Sequence, residues 1–404
     1  MNGGNGANGS GAAPLAVVDG LWILGDPLTA APPLVQAVQA RGAVLEWELG
    51  GRDVPVITLT GPAAADWLWR LVGEDAHARI LAAAADTDAR RPGIPGQPHD
   101  PGQPGNSGEP AREPLTVTPD WSAPLLGELR RLAHGHWLRA WWPASALDVI
   151  PALDAPLLLA EIALAAVDLD DVLYESADAA DGPELAGLSR LTNDLLLRAG
   201  STDRRVADLA VRALDLLEVP APETTAPYRD DYALAAGAPG RADDDAILTG
   251  TTGVTWQAVR AGVLDASESA VRWSLDAAGH AELRVEVAVL ADADPTGIPV
   301  AARVGEETVT DELDAGGAVT MPLELAPAAA WGLAEEDVTV EVGVGAGARA
   351  GAADGVRDFV ESGEMRDRVR VFARGRLDAA DGADGAGLGP GAPYIAEIMA
   401  ARFA

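Results

Sequence analysis

The chain has no cysteine. That excludes disulfides, a thiolate nucleophile and cysteine-ligated zinc. It also has no lysine, so all 29 basic residues are arginine, set against 62 acidic residues for a formal charge of −33. The scarcity of lysine beside abundant alanine, glycine, arginine and aspartate fits a GC-rich coding sequence better than salt adaptation, because the acid-rich stretches alternate with ordinary apolar segments. So negative a surface repels phosphate backbones and anionic lipid, so neither nucleic acid nor membrane is expected as a partner. No uninterrupted apolar run is long enough to span a bilayer. The first residues, MNGGNGANGSGAAP, lack the basic and apolar regions of a signal peptide, and a cytoplasmic protein is expected.

Catalytic signatures are missing as well. Gly250-Thr-Thr-Gly253 reads as a turn without the lysine of a phosphate loop, and no nucleophile-elbow motif occurs. Asp168, Asp170 and Asp171 lack the spacing of a calcium loop. His134 and His136 fall about 200° apart on a helix and cannot converge on one ion, so no metal and no cofactor is expected.

What is present is a multidomain α+β pattern. Residues 1–13 are Gly/Asn/Ala/Ser and read as disordered, and 14–85 as a small α+β unit. In that unit Ala16–Leu24 reads as one strand and Pro33–Ala40 as a short helix. Leu45, Trp47 and Leu49 alternate and pair as a hairpin with Ile57 and Leu59. Residues 86–116 are a Pro/Gly-rich linker.

Residues 117–219 carry four amphipathic helices with short connections, the pattern of a four-helix-type domain. The first is capped at Ser122 and stopped by Pro143. Its Leu125, Leu129, Leu132 and His136 form the apolar stripe, Trp137 and Trp141 are core, and Trp142 packs at the terminus. Helices from Asp154, Glu184 and Thr202 follow. After a second linker, 220–246, with Tyr228 and Tyr232 as local anchors, the period changes to two. Val271/Trp273/Leu275, Leu283/Val285/Val287, Val300/Val304, Val319/Met321, Val338/Val340/Val342 and Val369/Val371 predict an antiparallel β-sandwich over 247–377. Residues 378–393 read as a flexible tether and 394–404 as a docking helix.

Two segments stand out as candidates for binding protein partners. Read as a strand, Arg366, Arg368, Arg370, Arg374 and Arg376 share one face with Phe372. They suit either an ion ladder with Glu282, Glu286, Glu324 and Glu341 or a recognition strip for an acidic partner. In the C-terminal segment, Ile395, Ile398, Met399 and Phe403 give a short helix one sticky face, too short to stand alone in water. These features favour a non-enzymatic adaptor or accessory subunit that assembles through its sandwich and tethered helix. The rival reading is an enzyme with an acid/base site in a cleft between the helical and β domains, built from Glu128, His134 and Asp168 with Arg131.

Overall fold

The computed structural model describes residues 11–90, 115–174, 183–220, 246–291, 293–343, 362–383 and 391–404. Residues 1–10, the linker body 91–114, Tyr228 and Tyr232, and tether residues 384–390 lie outside them. The fold is mixed α+β, and the chain forms two compact units. One comprises Met1–His136, Ile162–Gly187 and Gly387–Ala392; the other comprises Trp137–Glu161, Leu188–Ala386 and Pro393–Ala404. The stretch 117–219, read from sequence as one helical domain, is shared between them.

The first unit holds a six-stranded antiparallel sheet of β1 Ala13–Val18, β2 Leu21–Leu24, β3 Val35–Ala40, β4 Ala43–Glu48, β5 Val56–Leu59 and β6 Leu115–Val117. Their order is β3-β4-β5-β2-β1-β6. The expected pairing of Leu45 with Ile57 is there. The expected single strand Ala16–Leu24 is instead a hairpin, because Asp19 and Gly20 both take positive φ (51° and 83°) and close a two-residue turn.

The helix expected over Pro33–Ala40 is strand β3. Its alternation is hidden because the inward positions are Gln36, Val38 and Ala40, and a polar residue on the core face breaks the apolar pattern. Gly42 (φ 71°) joins β3 to β4; a Cβ there would meet the Gly61 carbonyl and lie 2.7 Å from the Ala65 nitrogen, so only glycine fits. Leu15, Leu24, Leu45, Trp47, Ile57 and Leu59 make the buried face.

The expected helices are found as Ala123–Trp141, Ala155–Asp168, Pro183–Ser189 with Thr192–Arg198, and Arg204–Leu216. Asp154 Oδ1 accepts from the Leu157 nitrogen at 3.0 Å, and Asp203 caps Arg204–Leu216. One assignment within the first helix is reversed. His134 is the buried histidine and His136 is half-buried, while Trp142 is fully buried and Trp141 only half so.

The second unit contains two antiparallel sheets. Strands β7 Ala246–Thr252, β8 Val271–Asp276, β9 Glu282–Val287 and β12 Ala318–Pro322 make one in the order β12-β9-β8-β7. Strands β10 Pro299–Val304, β11 Glu307–Glu312 and β13 Val338–Val342 make the other in the order β11-β10-β13. The period-two positions are buried as the pattern requires. Gly250, expected in a turn, lies in β7 opposite Trp273; a side chain there would run into the indole ring, which explains a glycine in mid-strand.

The last expected strand is not a strand. Ser362 accepts from the Met365 nitrogen at 3.2 Å and caps a helix, Gly363–Asp381, that takes in the first residues of the expected tether. Met365, Val369, Ala373, Leu377 and Ala380 are its buried residues at helical spacing. Val369 and Val371 alternate as strand residues would, but Val371 is exposed, and the longer helical period over Met365–Ala380 prevails.

Candidate interaction site

The helical geometry of Gly363–Asp381 disperses the arginines that a strand would have aligned. Arg366, Arg370 and Arg374 recur every four residues and share a side, whereas Arg368 and Arg376 point elsewhere. Arg366 and Arg370 lie over the ring of Trp256, at 5.1 and 5.6 Å from its centroid, and Arg366 Nη2 donates to the Val254 carbonyl at 2.8 Å. Arg370 is buried and its Nη2 donates to the Ala266 carbonyl at 3.2 Å. Three carboxylates gather on this one guanidinium: Asp148 at 3.2 Å, Asp367 at 3.3 Å and Glu268 at 3.5 Å. The Asp148 contact faces Nε without hydrogen-bond alignment. Phe372 packs edge-on against Trp137 at 5.2 Å, and Arg368 is exposed. The carboxylates that meet Arg370 and Arg376 are thus Asp148, Glu268, Asp367 and Glu397, not the strand glutamates expected of an ion ladder.

Asp148 belongs to a loop, Ser145–Ile150, that sequence reasoning passed over. Ser145 and Ile150 exchange two backbone hydrogen bonds of 2.8 Å and close it. Ser145 Oγ accepts from the Asp148 nitrogen at 2.8 Å. The buried Asp265 carboxylate accepts from the nitrogens of Ala146 (2.7 Å) and Leu147 (3.3 Å) through Oδ2, and from Ser267 (2.9 Å) through Oδ1. Arg374 Nη2 donates to the Asp148 carbonyl at 3.1 Å.

Within this clamp Val149 sits at φ 55°, a left-handed conformation that a β-branched residue adopts only when its surroundings force it. The apolar side chains so held face solvent: Leu147 is 55% exposed, Val149 66%, and Val371 on the helix 67%. No local signal marks such a loop. Leu147 and Val149 flanking an aspartate between Pro143 and Pro151 read as a fragment of buried strand, and the residues that hold them outward come from positions 265 and 370–374.

The C-terminal helix Ile395–Ala401 is folded into its own unit. Tyr394, Ala396, Glu397, Ile398, Met399, Ala400 and Ala401 are buried, Ile395 is half-buried, and Phe403 is 42% exposed. It is therefore covered on nearly all sides, where sequence led us to expect one sticky stripe through Ile395, Met399 and Phe403. Alanines at 396, 400 and 401 allow that close approach. Glu161 accepts from the Ile395 nitrogen at 2.7 Å, and Glu397 accepts from the Tyr394 nitrogen at 2.7 Å.

The four candidate catalytic residues do not form one working group. Glu128 and Asp168 are exposed. Arg131 donates to the Ala392 carbonyl at 2.9 Å. His134 is buried with Gln36 Nε2 donating to its Nδ1 at 2.8 Å, which makes it a neutral, structurally engaged imidazole.

A different trio meets in the first unit. The Tyr174 hydroxyl donates to Glu184 Oε2, and His136 Nε2 lies 3.8 Å from Glu184 Oε1. Burial first, and then the Glu184 charge, pushes the Tyr174 phenol well above its ordinary range, so it stays protonated. Among the described residues, no group of three or more histidine, aspartate or glutamate side chains could hold a metal ion, and no helix is long and apolar enough to cross a membrane.

No known protein family matches this sequence, and neither a curated protein nor a solved structure resembles the chain.

Proposed function

We propose that this chain is a non-enzymatic cytoplasmic adaptor or accessory subunit that assembles with other proteins, with the Ser145–Ile150 loop and the adjoining turn of helix Gly363–Asp381 as its docking element. One observation carries this reading. The chain holds Leu147 and Val149 out in solvent on a loop fixed from three directions, at the cost of a strained valine. Exposed apolar side chains on a preordered backbone lose little entropy on binding. In this reading the two sheets of the second unit act as a β-sandwich scaffold. Phe403 is the exposed apolar residue of the C-terminal helix, while Ile398 and Met399 serve inside the unit.

The test is affinity purification from the native host under mild crosslinking, comparing wild type with Leu147→Asp. Loss of co-purifying proteins from a variant that melts like wild type supports the docking element. Recovery of wild type alone counts against an adaptor.

One observation favours the enzyme reading: the Tyr174–Glu184–His136 trio places a phenol and an imidazole on one carboxylate, an arrangement able to move protons. Substrate profiling of wild type against Glu184→Gln tests it, and an activity lost in the variant would favour the enzyme.

A further inference from the structure

We infer that the partner seated on Leu147, Val149 and Val371 is a basic protein surface, an apolar pocket rimmed by lysine or arginine, rather than the acidic partner that the arginine-rich sequence suggests. This rests on the adaptor reading above.

The arginines of the 366–376 segment are largely committed inside the unit. Arg366 is held by Trp256 and the Val254 carbonyl, and Arg376 by both oxygens of Glu397. Arg374 is tied to the Asp148 carbonyl. Arg370 is buried beneath Asp148, Glu268 and Asp367. Three carboxylates against one guanidinium leave an excess of negative charge at the foot of the apolar loop, and those carboxylates are the reachable groups. The side chain of Asp367 is 75% exposed and that of Glu268 56%, while Arg370 is 7% exposed. Asp148 stands between Leu147 and Val149, so the acid and the apolar contacts are presented together.

Beyond this local balance, the net charge of −33 steers approaching cations inward and repels an acidic surface at long range. The pocket supplies affinity for the two loop side chains, and the basic rim supplies association rate and orientation.

The test uses the full-length protein with a photo-crosslinking residue, Leu147→p-benzoylphenylalanine, irradiated in native-host extract, with the joined partner peptides sequenced. The expected result is a crosslink to one partner whose joined surface is rich in lysine and arginine. Capture should fall by about tenfold between 50 and 300 mM salt, as an exposed charge rim requires. Glu268→Arg with Asp367→Arg should lower capture by a similar factor, and Leu147→Asp, which leaves the guanidinium cluster untouched, should lower it independently. A joined surface rich in aspartate and glutamate, or capture indifferent to salt and to the charge reversals, overturns the inference. Absence of a crosslink at position 147 while a general amine- or carboxyl-reactive reagent still joins a partner elsewhere overturns it too, and leaves the adaptor reading standing. Recovery of the protein alone with both reagents overturns both.

Discussion

Arg376 donates through Nε and Nη2 to the two carboxylate oxygens of Glu397, at 2.8 and 2.7 Å, and Glu397 has no solvent exposure. The pair ties the C-terminal helix to helix Gly363–Asp381 and lets Glu397 cap its own helix through the Tyr394 nitrogen. Glu397→Ala leaves a largely buried guanidinium without that partner and should cost about 3–5 kcal/mol in a denaturant titration. Deleting residues 394–404 should destabilise the second unit as well, because it removes the buried Tyr394, Ile398 and Met399 together. A truncated protein with an unchanged midpoint would show that the helix is not part of the folded core.

Val149 at φ 55° predicts a stabilising substitution. A non-glycine residue in the left-handed region costs about 1–2 kcal/mol, and asparagine tolerates it better than a β-branched side chain. With Val149 66% exposed, little packing is lost. Val149→Asn should therefore raise stability by about 1 kcal/mol, read from the denaturation midpoint, and weaken partner capture. A lower midpoint would mean that the valine side chain supports the loop.

The three tryptophans near the end of helix Ala123–Trp141 should separate by burial. Trp137 is 2% exposed and meets Phe372 edge-on, so Trp137→Ala should cost about 3–5 kcal/mol. Trp142 is buried with its indole nitrogen donating to the Pro151 carbonyl at 2.8 Å, and its loss should cost a similar amount. Trp141 is half-buried, and its alanine variant should sit clearly below both in the same melts.

Acid stability should depend on Asp203. Its carboxyl is held well below the usual carboxylate range, first by the Arg205 side chain and further by Arg402 and the Arg205 nitrogen, against a smaller opposing effect of burial. A carboxylate with a depressed pKa adds stability that is fully present above the unfolded value, about 4, and is lost as pH falls through the folded value. The stability gap between wild type and Asp203→Asn should therefore be widest near pH 6 and shrink toward pH 2. A gap independent of pH would show that Asp203 acts only as a neutral helix cap.

Where a segment's own period decides its structure, the sequence was legible. Helices starting at Asp154 and near Thr202, and strands through Val271, Leu283, Val300 and Val338, follow from spacing and caps that need no distant partner. Reading failed where the deciding contact is remote. Gln36 interrupts the alternation of β3 because its amide is used by His134, far along the chain. Val369 and Val371 imitate a strand because two residues of a helical segment happen to alternate, and the Ser362 cap with the Met365–Ala380 stripe overrides them.

The candidate site divides the same way. The sequence by itself settled the absence of thiol chemistry, the wholly arginine-based positive charge and the acidic field, since these are sums over composition that no folding can change. It also marked 366–376 as unusual. Only the tertiary structure decided what those arginines do, because a guanidinium's charge is available or spent according to which carboxylates the fold brings within about 4 Å of it. Asp148, Glu268 and Glu397 reach Arg370 and Arg376 from separate segments, and Asp265 holds the Ser145–Ile150 loop from more than a hundred residues away. An apolar pair that local reading would bury is thereby turned toward solvent.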